Sequence, residues 1–263
     1  MAILIQVQGE SGTGKSFSLR NLPAEKTLLI MPVFKPLPFR AKQKGFEMRD
    51  PVKHTGNIFV SDKVAHVCAV LKKTDADIIH ISDCQFFQQN QMMIRCMEKG
   101  YDKFSEIAKI FYDILDTASK LPEHKRVYFE IHTELDPETN VVRSKTCGKM
   151  VENQMSGLES RFTIVLRAQV TPERQYVFST QTDGHDRVKS PPEMFNEYYI
   201  PNDLNAVDRA VCEYYGIDRP YGNTETETVK VVTKPTTKAE PKATKPTPKA
   251  TAGVESLDSD VIF

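Results

Sequence analysis

Eight residues near the amino end have the types and spacing to grip a run of phosphates: Gly9-Glu10-Ser11-Gly12-Thr13-Gly14-Lys15-Ser16. The glycines permit backbone angles that turn successive N–H groups inward, making a nest for anionic oxygens. Lys15 is spaced to reach the β- and γ-phosphates of a nucleoside triphosphate, and the Ser16 hydroxyl to ligate Mg2+. With Phe17, the segment Gly9 to Phe17 is the candidate nucleotide-binding set. The pattern is a complete Walker A sequence in the right context. The β-rich run Ile3–Gln8 precedes it, and a helix is expected over Lys15–Leu22, stopped near Pro23. The positive end of that helix would face the same phosphates. The implied cofactors are ATP and Mg2+.

Such a site needs an acid near the metal. Ile78-Ile79-His80-Ile81-Ser82-Asp83 reads as a strand ending in one, and this strand is expected beside the cradle. Asp83 is the candidate metal ligand and catalytic acid, although an Asp before Cys84-Gln85-Phe86-Phe87 also serves as an ordinary helix cap. The strand Val127–Ile131 ends in His132-Thr133-Glu134. There His132 is either a sensor of the terminal phosphate or a solvated strand end. For the general base, Asp62 and Glu10 are both open, with Asp62 favoured.

The elements that must position these groups follow a regular order. Strands are expected at Thr27–Met31, Asn57–Val60, Asp77–Ser82 and Arg126–Ile131. Amphipathic helices are expected from Ser61 or Asp62 to Lys73 and over Phe104–Leu121. The three prolines within Pro32–Phe39 demand a loop or extended arm between them. Alternating strands and helices imply a largely parallel α/β sheet. Arg161–Gln169 and Gln175–Gln181 then read as an antiparallel hairpin extending it, before a helix over Asn202–Tyr215.

The sequence divides into a folded domain over 1–221, a Thr/Lys/Pro-rich linker over 222–253 expected to be disordered, and an acidic tip over 254–263. Net charge is zero across 263 residues, so a basic whole-protein field for nucleic acid is excluded and any such site must be a local patch. Five scattered cysteines without a CxxC pair argue against a disulfide framework or zinc site. No apolar run approaches the ~20 residues of a membrane helix, and the amino end lacks the features of a signal peptide. A soluble, cytoplasmic protein is expected.

Taken together, the segments Gly9–Ser16 with Ser18–Leu22, Lys35-Pro-Leu-Pro-Phe-Arg40, Ser82–Phe86, His132–Glu134 and Gly157–Leu166 resemble bacteriophage P-loop ATPases of the AAA-type or RecA-like group, some of them single-strand-annealing proteins. The resemblance covers roughly Met1 to Phe195. It implies a RecA-like core, action on single-stranded DNA in replication or recombination, a homo-oligomer, and residence in the host cytoplasm. In RecA-like folds the loop after the sensor strand touches DNA, which makes Arg143, Lys145 and Lys149 the candidate DNA contacts. Oligomers of this kind often complete the site with a neighbour's cation, for which Arg161 and Arg167 are candidates. Relatives commonly carry two acids where this chain has Ser82-Asp83, so slow hydrolysis or binding without turnover stays open. The tip Asp258-Ser-Asp-Val-Ile-Phe263 is similar to the ends of single-strand DNA-binding proteins. Asp258, Asp260, Ile262 and Phe263 would dock on a replication partner, or else the tip pairs with its own lysine-rich tether. The leading reading is an Mg2+-dependent ATPase on single-stranded DNA. A non-catalytic ATP-binding adaptor and, lower, a small-molecule kinase are the alternatives.

Overall fold

The computed structural model describes residues 1–147 and 157–221. Strand β1 (Ile3–Gly9) is buried from Ile5 onward and lies between two parallel partners, β5 (Arg126–Leu135) and β7 (Ile164–Val170). Outward from β5 run β4 (Ile78–Ile81), β2 (Thr27–Met31) and β3 (Ile58–Val60), all parallel. Beyond β7 the sheet turns antiparallel through β8 (Tyr176–Ser179) and β9 (Tyr199–Pro201). The largely parallel α/β sheet extended by a hairpin is therefore the observed architecture.

Strands buried on both faces need apolar residues at odd and even positions alike, and alternation here divides the core in two. Leu28, Ile30, Ile79, Ile81, Val127, Phe129 and Ile131 face one way, against α1 (Val64–Lys73), α2 (Gln85–Ile94) and α3 (Asp102–Ser119). Ile5, Val7, Leu29, Ile78 and Tyr128 face the other way, against Leu19 and α4 (Leu204–Tyr215). Asp203 caps α4, its carboxylate accepting from the Asn205 amide at 2.9 Å. The helix is also held by charge. Asp208, fully buried, accepts from Arg126 Nε at 2.9 Å, the Tyr128 hydroxyl at 3.0 Å and Arg219 Nε at 2.9 Å. Removing such a carboxylate leaves a buried guanidinium uncompensated, at a cost of about 3–5 kcal/mol.

Four sequence expectations change. The segment after the cradle is a 3-10 helix over Ser16–Asn21, not an α-helix from Lys15. Ser18 Oγ donates to the Lys15 carbonyl, competing with the regular ladder, and Pro23 leaves no room for further turns. The strand carrying His80 is not beside β1, because β5 pairs with both and lies between them. The region after the sensor strand is not an open loop. β5 runs on to Leu135 and pairs with β6 (Val142–Ser144) as an antiparallel hairpin. Lastly, the helix expected behind an Asp83 cap is α2, which begins at Gln85 with Cys84 at the N-cap position and no side-chain cap.

Candidate functional site

The cradle sits where β1 ends. A side chain at Gly9 would place a Cβ 2.7 Å from the Ala168 carbonyl oxygen, so close passage of β7 requires glycine. Gly14 has a left-handed φ of 87°, and a Cβ there would meet the Tyr176 ring at 2.8 Å. Thr13 Oγ1 donates to the Glu10 carbonyl at 2.8 Å and braces the turn. Lys15 is buried, and its ammonium donates to the carbonyls of Gly9 (3.0 Å) and Glu10 (2.8 Å). Burial lowers its pKa, against the opposing pull of Glu130 and Asp83. With only a six-residue 3-10 segment behind it, the cradle relies on its own amides and this ammonium more than on a helix dipole.

The acid beside Ser16, the candidate metal ligand, was not singled out from the sequence. Ser16 Oγ donates to Glu130 Oε1 at 2.9 Å, and Ser82 Oγ lies 3.3 Å from Glu130 Oε2 as its second donor. Alternation along β5 puts Glu130 and His132 on one face, and alternation along β4 brings His80 and Ser82 to meet them. Glu130 is buried, and that burial, reinforced by the nearby charge of Asp83, pushes its pKa up to about 7 against the lowering effect of Lys15 and the two hydroxyls. His80 lies beneath it, with Nε2 3.7 Å from Glu130 Oε2. Burial drops the His80 pKa to about 3, so the ring is neutral. A carboxylate from the adjacent strand thus stands beside the Ser82 hydroxyl.

Asp83 is brought to the same place but held differently. It has a left-handed φ of 46° and closes β4 onto α2. His132 Nε2 stands 3.2 Å from its Oδ1, and the Lys35 ammonium forms an ion pair with Oδ2. Burial alone would raise the Asp83 pKa, but the hydrogen bonds from His132 and Lys35 outweigh it and hold the carboxyl well below the usual range.

Lys15, Ser16, Lys35, Asp83, Glu130 and His132 line one cavity of about 460 Å3, with two of the cradle's glycines and Tyr176 among the rest of its wall. That volume suits a small polar ligand. Asp62 is not among the lining residues. It follows β3, four strand spacings from β1 or about 19 Å across the sheet, and accepts from Asn90 at 3.2 Å. It is therefore set aside as the base. Glu10 is exposed on the cradle's rim. Arg143 is paired with Glu134 (3.2 Å) and Asp136 (2.8 Å), which turns its charge into the β5–β6 hairpin. Lys145 is exposed, and its amide donates to the His132 carbonyl at 2.7 Å. Lys149, the linker 222–253 and the tip residues Asp258, Asp260, Ile262 and Phe263 lie outside the described residues. Of the candidate neighbour-completing cations, Arg167 is paired with Asp186 at 3.3 Å, and Arg161 lies against the Tyr112 ring.

Among the described residues no cluster of three His, Cys, Asp or Glu could hold a metal alone. One serine hydroxyl beside a buried carboxylate suits Mg2+ instead, which commonly takes few protein ligands and completes its shell with phosphate oxygens and water. Ser16, Glu130 and Asp83 fit that requirement. No helix among the described residues is long and apolar enough to cross a membrane.

No family model matches the chain, and no curated protein matches it. Among solved structures it is similar to the ATPase DotB of Legionella pneumophila, with 13% identity and a TM-score of 0.34 over 68% of this chain. The match spans 44% of the DotB chain, less than half its length. A likeness so distant carries no chemistry across. The cradle at the end of β1 and the parallel order β2-β4-β5-β1-β7 are what identify the architecture, a P-loop nucleoside-triphosphatase fold.

Proposed function

We propose that this chain binds and hydrolyses ATP with Mg2+, and that it does so on single-stranded DNA. The observation that carries the first half is the Ser16–Glu130–Ser82 set, with Glu130 and Ser82 buried, at the end of a complete glycine cradle. Cradle amides and Lys15 would hold the β- and γ-phosphates, with Lys15 exchanging the Gly9 and Glu10 carbonyls for phosphate oxygens. Ser16 could offer an oxygen lone pair to the metal while its O–H goes on donating to Glu130. Bound Mg2+ would neutralise charge on the β- and γ-oxygens. Both Glu130 oxygens are committed to hydroxyls, whereas Asp83 would have one oxygen free once Lys35 leaves it, so Asp83 and His132 would orient the attacking water. The water oxygen bonds to the γ-phosphorus as the bond to the β–γ bridging oxygen breaks. That oxygen keeps the electron pair, and the water proton passes through Asp83 to solvent.

The carboxylate of Glu130 beside Ser82 weighs against the non-catalytic adaptor, which the absence of an acid at Ser82 favoured somewhat. Support for the DNA half is narrower. It consists of the resemblance to phage ATPases and the exposed Lys145 tethered to the His132 backbone. Assembly into a homo-oligomer, and docking of the tip on replication proteins, belong to the same reading. The test is ATP turnover with and without single-stranded DNA, for the wild type beside Lys15→Ala. Mg2+-dependent turnover that DNA raises, and that Lys15→Ala removes, is expected. Turnover unaffected by DNA, without retention of DNA, rejects the second half alone. No binding of Mg2+-ATP rejects both.

A further inference from the structure

The arm between β2 and β3 delivers a second cation to the cavity. Lys35 lines it alongside Lys15, Asp83, Glu130 and His132. Pro32, Pro36 and Pro38 restrict the arm on both sides of this residue. The ammonium is ion-paired with Asp83 and lies 5.1 Å from the centre of the Phe86 ring. The side chain remains 48% exposed, whereas that of Asp83 is 5% exposed. A pair so unequally buried anchors the arm poorly, because water screens its outer member. Asp83 also has His132 as another donor, so it would not be stranded if Lys35 moved away.

We propose that Lys35 is a ligand of the terminal phosphate, supplied by the same chain and resting on Asp83 while the site is empty. A triphosphate draws the ammonium from Asp83 to γ-phosphate oxygens, since a nearly dianionic phosphate outcompetes one carboxylate for a compact, flexible point charge. A diphosphate offers nothing at that position, and the ion pair persists. Lys35 would then report the γ-phosphate to Asp83, and hence to α2 behind it. The proposal rests on the reading that this cavity takes a nucleoside triphosphate.

Calorimetric titration of the full chain with Mg2+-ADP and with the non-hydrolysable β,γ-imido analogue of ATP tests it, for wild type, Lys35→Met and Lys35→Arg. The Met variant should lose about ten- to hundredfold in affinity for the triphosphate analogue, the worth of a charged hydrogen bond. Its affinity for ADP should stay within about twofold, which also shows that the fold is intact. The Arg variant should recover most of the difference. Equal changes for both nucleotides, or none, would overturn the assignment and leave Lys35 as a strut for the arm. A wild type that binds neither nucleotide would remove the underlying site, a result distinct from wild-type binding that Lys35→Met leaves untouched.

Discussion

Glu130 and Asp83 line the same cavity, yet their surroundings push them in opposite directions. Glu130 is buried among hydroxyls and a neutral imidazole, and its pKa is raised to about 7. Asp83 is nearly as buried but meets Lys35 and His132, and its carboxyl is held low. Two acids whose environments separate their proton affinities can divide labour at neutral pH. The first is poised to become anionic when a cation arrives at Ser16. The second is already anionic and faces the place where the terminal phosphate would lie.

Substitutions that keep shape and remove charge would break this contrast. The largest effect is expected from Asp83→Asn, which should cut turnover by about 10²–10⁴-fold, the usual worth of a positioned acid–base group. Nucleotide affinity should change little, so the loss should fall in kcat when both are measured on one preparation. Glu130→Gln should instead weaken the dependence on Mg2+, by about 10–100-fold in metal affinity, as supports of metal ligands commonly do. A magnesium titration at fixed ATP would show it.

The smallest effect concerns stability and has the opposite sign. Glu130 has a folded-state pKa near 7 against an ordinary value of 4.5, so the folded protein holds a proton that the unfolded chain releases. Its contribution to stability is greatest below pH 4.5 and declines as pH rises to about 7. Glu130→Gln should therefore stabilise the nucleotide-free protein at pH 8 by roughly 1–3 kcal/mol, while impairing function. Denaturant melts of both proteins at pH 5 and pH 8 would sharpen the comparison. A gain of equal size at both pH values would argue against a titrating Glu130.

What the sequence made legible follows from how local each signal is. Gly9–Ser16 could be read because the cradle is built from adjacent backbone units. Asp83 and His132 could be read as polar ends of apolar strands. Glu130 was hidden by its position inside Val127–Ile131, where the run reads simply as a buried strand. The unused signal was an acid between Phe129 and Ile131, which strand alternation aligns with His132. Lys35 could not be paired from sequence, since its contact with Asp83 depends on how the proline-rich arm folds back over the sheet. Asp62 was misplaced for a related reason: strand order across a sheet is not written along the chain, and β3 lies at the far edge.

The most direct test is the affinity for Mg2+-ATP between pH 6 and pH 8, measured by calorimetry on the wild type and Glu130→Gln. The γ-phosphate itself titrates in this range, so the difference between the two proteins is the informative quantity. With Glu130 as the acid at the metal, the wild type gains affinity more steeply through about pH 7 than the variant, whose curve follows the nucleotide alone. Parallel curves, or a wild type that does not bind Mg2+-ATP, would contradict this account.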